Sequence, residues 1–259
     1  MGFVVFLIIV AIVVIVVIKK KKESDYLKKY RDAGDNNVML ATNASAEDVR
    51  FQKDWKVIDV NNAEDTEEFG RHSIVTLDDF AGAVNVEYLT LSGCINLTDI
   101  SGLRNMPNIK VLELGACDNL EDLSAVSTLK DLDRIDIRYT KVRSLEPLRG
   151  LPLLRDINMG HCINIQDLSP LRDLASLLHI NMLGCDGVKD LTPLSNHPSL
   201  LDINLSESRA VSDLTPLLSI PNLRSVAVTD CHNLTQIHVD EFRAAKPDCD
   251  VYFKESDYS

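Results

Sequence analysis

Apolar residues fill every position from Phe3 to Ile18, and beyond that run they return in a fixed rhythm. The rhythm is an apolar residue followed three and five positions later by two more, starting at Val86, Ile109, Leu132, Leu154, Leu177, Leu200 and Leu223. Successive starts lie 23, 23, 22, 23, 23 and 23 residues apart. The last two apolar positions flank a mostly polar one, as at Leu89 and Leu91, Leu112 and Leu114, or Ile203 and Leu205. This period of two predicts a short strand with one face against a core. A unit so small cannot bury that face alone, so the seven units must stack. Aromatic residues are only 5% of the chain, which leaves Leu, Ile and Val to fill thin layers.

The nine prolines fall into two positions of this register. Pro147, Pro170, Pro193 and Pro216 follow Glu, Ser or Thr and precede Leu, which suits the first turn of a capped helix. Pro107, Pro152, Pro198, Pro221 and Pro247 lie two residues before the next unit begins, where a helix must have stopped. Each unit is therefore predicted to be a short strand, a turn and a short helical or 3₁₀ segment. Cys94, Cys117, Cys162, Cys185 and Cys231 share one position, and Thr140 and Ser208 fill it in the other two units. A buried side chain able to hydrogen-bond the turn is expected there, because the backbone leaves its strand at that point. Six cysteines would also suit a disulfide framework or a metal site. Side chains stacked in parallel disfavour disulfides, and no Cys-x-x-Cys or Cys/His pair has zinc spacing. The reading is reduced, structural thiols, with no metal and no cofactor.

The segments LTDISGL (97–103), IQDLSPL (165–171), VKDLTPL (188–194) and VSDLTPL (211–217) resemble leucine-rich repeats of the SDS22/internalin-like subclass. Strand halves such as LTLSGCINL (89–97) carry Cys and an extra residue, and so resemble cysteine-type repeats. The resemblance runs from about Leu77 to Phe253 and implies an α/β leucine-rich-repeat solenoid. Its parallel β-sheet would line a concave face, with short helices or 3₁₀ turns on the convex face. The stretch EFRAAKPDCDVYF (241–253) resembles the helix and final strand that close such solenoids.

The apolar run of residues 3–18 is followed at once by Lys19, Lys20, Lys21 and Lys22. It is near the short end for a membrane-spanning helix, with lysines placed to snorkel. A cleaved signal peptide would carry its charge before the run and a small-residue site after it, whereas Glu23-Ser24-Asp25-Tyr26 offers none. The expectation is a retained N-terminal transmembrane helix whose basic flank keeps the repeats cytoplasmic. The predicted organisation is anchor and basic flank (1–22), tether (23–44), N-terminal cap (45–85), seven repeats (86–237), and C-terminal cap and tail (238–259). Within the N-terminal cap, Ser45-Ala46-Glu47-Asp48 reads as a helix-capping signal and Trp55, Val57, Ile58 and Val60 as a cap strand.

A net charge of −12 excludes non-specific binding to nucleic acid. No P-loop, HExxH, GxSxG or dinucleotide-binding glycine turn occurs, so no catalytic residue is assigned. Residues between the inward leucines should point out from the sheet. In that pattern Tyr88, Glu113, Arg134, Asp136, Arg138, Tyr139, Asp156, His161, His179 and Asp202 are the candidate partner-binding residues. The competing reading makes them solvated cross-strand pairs, Arg134 with Asp156 above all. The expected function is a non-enzymatic, membrane-anchored scaffold that binds protein through its concave face. The alternative is an exported receptor or adhesion-like repeat, kept open by sequons at Asn43, Asn96, Asn204 and Asn233.

Overall fold

Three-residue strands stand wherever the paired apolar positions fall. The computed structural model describes residues 38–40, 56–59, 74–80 and 82–254, and the chain divides into two compact units, 1–39 and 40–259. A short strand, β1 (Val38–Leu40), spans the division. The second unit carries β2 (Val57–Asp59), β3 (Tyr88–Thr90), β4 (Val111–Glu113), β5 (Arg134–Asp136) and β6 (Asp156–Asn158). It continues with β7 (His179–Asn181), β8 (Asp202–Asn204), β9 (Ser225–Ala227) and β10 (Asp250–Tyr252). These nine strands pair in parallel, in chain order. Register is strict: Leu89 lies beside Leu112, Ile135, Ile157, Ile180, Ile203 and Val226 in successive strands. All of these are buried, as are the second apolar residues Leu91, Leu114, Ile137, Met159, Met182, Leu205 and Val228.

A left-handed residue ends each strand. The position just before the Cys/Thr/Ser site has φ between +56° and +61° at Ala116, Tyr139, His161, Glu207 and Asp230, and glycine occupies it at Gly93 and Gly184. The turned amide still donates to the next coil, as in Ala116 N to Arg138 O at 2.8 Å and Tyr139 N to Gly160 O at 2.9 Å. The thiols complete this corner. Cys117, Cys162, Cys185 and Cys231 donate to the carbonyls of Leu91, Ile137, Met159 and Leu205 at 3.0–3.2 Å, each on the preceding coil. Ser208 does the same to Met182 O at 2.8 Å, whereas Thr140, in the shorter third coil, turns back to Ile137 O at 2.7 Å. All six cysteines are buried thiols outside any disulfide. Burial pushes the Cys117 and Cys185 thiols up to about 12 and those of Cys231 and Cys249 up to about 11.

Opposite the sheet each coil carries a 3₁₀ turn, such as Ser101–Asn105, Ser169–Leu171 and Thr192–Leu194, or the short helix Thr215–Leu218. The capping group differs from the expectation. It is not the residue before proline but the one two positions further back, Ser144 at the Pro147 turn and an aspartate at the others. Asp167, Asp190 and Asp213 accept from the amides of Ser169, Thr192 and Thr215 at 2.8 Å. Asp99 and Asp122 cap Ser101 and Ser124 at 2.7 Å. The amides and hydroxyls they engage hold the Asp99, Asp167 and Asp190 carboxyls below their usual value.

The last coil is covered by the helix Gln236–Ala245, which buries Val239 and Phe242, and by β10. Arg243 Nη2 donates to Val251 O at 2.9 Å, and Lys246 Nζ to Ile220 O at 2.6 Å. At the other end Ile58, Ile74, Leu77, Phe80 and Ala83 are buried. Among the described residues no helix is long and apolar enough to cross a membrane. The predicted anchor (3–18), the lysine cluster (19–22), the capping signal at 45–48, Trp55 and Val60 lie outside the described residues.

Candidate protein-binding face

Side chains on either side of each strand's buried central residue point to the far face of the sheet. One register there runs Tyr88, Val111, Arg134, Asp156, His179, Asp202 and Ser225. The other runs Thr90, Glu113, Asp136, Asn158, Asn181, Asn204 and Ala227.

The N-terminal part of this face is a closed network. Tyr88 Oη donates to Glu113 Oε2 at 3.0 Å, and Arg134 approaches Glu113 Oε1 at 4.0 Å. The Arg134 and Glu113 side chains are only 13% and 8% exposed. Adjacent coils stand about 4.8 Å apart, so these long side chains fold onto one another and shield themselves from water. Arg134 thus lies against Glu113 on the preceding strand. Asp156, the partner considered from sequence, makes no side-chain hydrogen bond or ion pair among the described residues.

An amide ladder follows. Asn181 Nδ2 donates to Asn158 Oδ1 at 3.0 Å, and Asn158 Nδ2 donates to Asp136 Oδ2 at 2.8 Å. The remaining oxygens accept the backbone two residues on: Arg138 N to Asp136, Leu183 N to Asn181 and Ser206 N to Asn204, at 3.0–3.1 Å. The ladder thus ties the strands together and fixes the turn after each. Its signal in the sequence is Asn at one register in three consecutive repeats, at 158, 181 and 204. The candidate set had omitted all three.

His179 Nδ1 lies 2.7 Å from Asp202 Oδ2, and Ser225 Oγ donates to Asp202 Oδ1 at 2.6 Å. Burial pulls the Asp202 carboxyl upward. Bonds from His179 and Ser225, with the charges of His179 and Arg224, outweigh it and leave the group below its usual value. The arrangement orients an imidazole, but Ser225 Oγ points to the aspartate and not to the ring, so no nucleophile is activated.

Arg138, Tyr139 and His161 occupy the rim where the chain leaves the sheet. The Tyr139 and His161 rings stack at 4.5 Å with an interplanar angle of 15°. The structure thus brings the ten candidates into four groups: Tyr88–Glu113–Arg134, Asp136–Arg138, Tyr139–His161 and His179–Asp202, with Asp156 between them. Among the described residues no cluster of His, Cys, Asp and Glu could hold a metal. A depression of about 240 Å³ lined by Asp99, Ser101, Arg104, Asp122 and Ser124 lies on the 3₁₀ side, below the usual size of a small-molecule site.

Stacked 22- and 23-residue coils, a nine-strand parallel sheet in strict register and 3₁₀ turns opposite it define a leucine-rich-repeat fold. An internalin of Listeria monocytogenes, InlF, has a similar structure, with a TM-score of 0.57 and 22% sequence identity over 73% of this chain. This chain spans 57% of the length of that internalin. Internalin C2 of the same organism gives a TM-score of 0.47 at 18% identity, over 71% of this chain and 84% of that one. No protein-family model matches the sequence, and no curated protein matches it. The likeness to InlF is one of fold.

Proposed function

We propose that this protein is a non-catalytic scaffold, held on a membrane by residues 3–18, whose sheet face captures a protein partner. The observation that carries the reading is the sheet face, which from β6 to β9 presents the partly accessible polar residues Asp156, His179, Asn181, Asp202, Asn204 and Ser225. Eight strand spacings of about 4.8 Å, from β2 to β10, make the sheet about 40 Å long, enough for an interface of standard size. Asn181, Asn204, His179 and Asp156 offer donors and acceptors along it, and all are partly accessible. Such a face binds by complementarity over area and encloses no reacting group.

A photo-crosslinking residue placed at Asn181 or Asn204 is expected to trap a discrete adduct in native membranes. The same residue at Lys130 or Arg149, on the 3₁₀ side, should give none. Equal labelling from both sides would overturn the reading. For the anchor, the full chain should resist alkaline carbonate extraction and a chain beginning at Ser45 should be released. Loss of the full chain to the supernatant would refute it. In the cytoplasmic orientation that the lysine flank supports, protease outside sealed membranes leaves the repeats intact.

The exposed sequon at Asn96 favours the exported alternative. A mass shift removed by glycosidase would establish that reading.

A further inference from the structure

We propose that Arg138 and Tyr139 form a docking shelf for the acidic segment Glu255-Ser256-Asp257-Tyr258 of a second copy of this chain. The inference rests on the scaffold reading only in taking the occupant to be protein.

The shelf is built by local chain geometry. Tyr139 sits at the left-handed corner of the third coil with φ +57°, where the two preceding coils carry only Ala116 and Gly93. One ring face stacks on His161, yet Tyr139 remains 51% exposed. Arg138 lies across the second coil, since a Cβ on Gly115 would come within 3.0 Å of its Nε and 3.2 Å of its Cγ. Its side chain is 49% exposed, and Nε stands 3.6 Å from Asp136 Oδ2. That carboxylate already accepts from Asn158 and from the Arg138 amide. Neither Nη group of Arg138 makes a hydrogen bond among the described residues, so a fork suited to a carboxylate is left over. Residues 134–143 hold Arg134, Arg138, Lys141 and Arg143 against the single acid Asp136, in a chain whose net charge is −12. Of these cations Arg134 lies against Glu113, Arg143 stands 3.5 Å from Glu121 and Lys141 donates to Asn119, so the guanidinium of Arg138 is the one the shelf offers beside Tyr139.

The chain contains a complement to that shelf. The pentapeptide Lys-Glu-Ser-Asp-Tyr occurs twice, at 22–26 and at 254–258. It offers carboxylates to the guanidinium and a phenol ring to Tyr139, whose preferred partners are offset-stacked aromatics. The segment after Lys254 cannot reach the shelf of its own molecule. From β10 to β5 is five strand spacings, about 24 Å, whereas the four residues to Tyr258 span at most about 14 Å. For residues 255–258 a second copy must supply it. Because the same pentapeptide stands at 22–26 of each chain, sedimentation of the full chain beside an E255Q/D257N variant separates the two sources. Self-association lost in the variant supports the second copy, and unchanged association overturns it. Repulsion between two acidic chains opposes the pairing, but at physiological salt it is screened beyond about 8 Å, while the contact pair is not.

The test uses the full chain in detergent micelles and a fluorescein-labelled peptide Lys-Glu-Ser-Asp-Tyr-Ser. Anisotropy should show saturable binding that weakens as salt rises. Arg138→Ser should weaken it at least about tenfold, because it removes the charged fork. Tyr139→Gly should weaken it about fivefold, because it removes the stacking surface. Both replacements already occur at these registers, as Ser92 and Ser206 and as Gly93 and Gly184, so both variants should fold and unfold as cooperatively as the parent. A peptide with Gln and Asn in place of its acids should not bind. Absence of saturable binding, or equal binding by parent and variants, would overturn the proposal. Cross-linking at Asn181 tests the scaffold separately. If that adduct persists while the peptide fails to bind, the shelf is wrong and the scaffold stands.

Discussion

His197 is the residue at which this fold carries an avoidable cost. Its register holds Met106, Leu129, Leu151, Leu174 and Ile220 in other coils, and like them it is buried. Nε2 lies 3.2 Å from Leu171 O, while Nδ1 is buried with no hydrogen-bond partner among the described residues. Burial lowers its pKa from 6.5, only partly offset by the Leu171 carbonyl and the charge of Asp173. A lowered folded pKa means that the unfolded chain takes up the proton first. The contribution to stability is therefore complete above about pH 6.5 and is lost as pH falls from there toward the folded pKa. Urea unfolding at pH 7.5 and 5.5 should show the parent weakening. His197→Leu should flatten that trend and add about 1–3 kcal/mol by removing the unsatisfied nitrogen. A second residue-scale prediction concerns Ala116, held at φ +56°. Ala116→Gly should relieve about 1 kcal/mol of backbone strain and raise the melting midpoint by roughly 2–4 °C. An unchanged or lower midpoint would show that the corner is not strained. The thiols of Cys117, Cys185 and Cys231, raised by burial to about 11 or 12, should not react with Ellman's reagent at pH 8 until the chain is unfolded.

At the scale of the coil, tolerance to change depends on what each position faces. A Cβ on Gly187 would meet the carbonyl oxygens of Ile163, at 2.6 Å, and Ile165, which belong to backbone and cannot move aside. At Gly115 the obstacle is the flexible end of Arg138. Gly187→Ala should cost about 2–3 kcal/mol in chemical denaturation and Gly115→Ala well under 1 kcal/mol. Similar losses for both would refute this account. The aspartate caps set the acid limb. Asp99, Asp167 and Asp190 titrate below their unfolded value, so what they contribute is present above about pH 4 and disappears as pH falls below it. Their register is not legible in the sequence, because the Ser or Thr beside the proline is a capping residue by type as good as the aspartate two positions before it. Only the folded turn shows which carboxylate reaches the amide.

At the scale of the molecule, one hydrophobic column runs from Ile58 through Leu89 to Val226 and is closed by the helix Gln236–Ala245 and β10. Coils of this kind gain stability from their neighbours, so an uncovered last coil exposes both an apolar layer and a strand edge. A chain ending at Thr235 should melt less cooperatively than the parent and aggregate, measured by circular dichroism and size-exclusion chromatography. A sharp monomeric transition would show that the closing helix is dispensable.

The sequence alone determined the period, the strands, the proline registers and the stacking of cysteines, because each depends on chemistry repeated at fixed spacing. It also placed seven of the ten candidate residues on one face of the sheet, since strand alternation is a local rule, while Arg138, Tyr139 and His161 stand at its rim. What it did not determine was which of them remain open. Arg134 and Glu113 lie 21 residues apart in the chain yet meet across 4.0 Å, and the asparagine ladder joins strands through side chains. Such pairings depend on distances between coils, which are set only when the coils stack. The left-handed corner beneath Tyr139 and His161 was hidden for the same reason: five non-glycine residues adopt it because hydrogen bonds to the next coil hold them there.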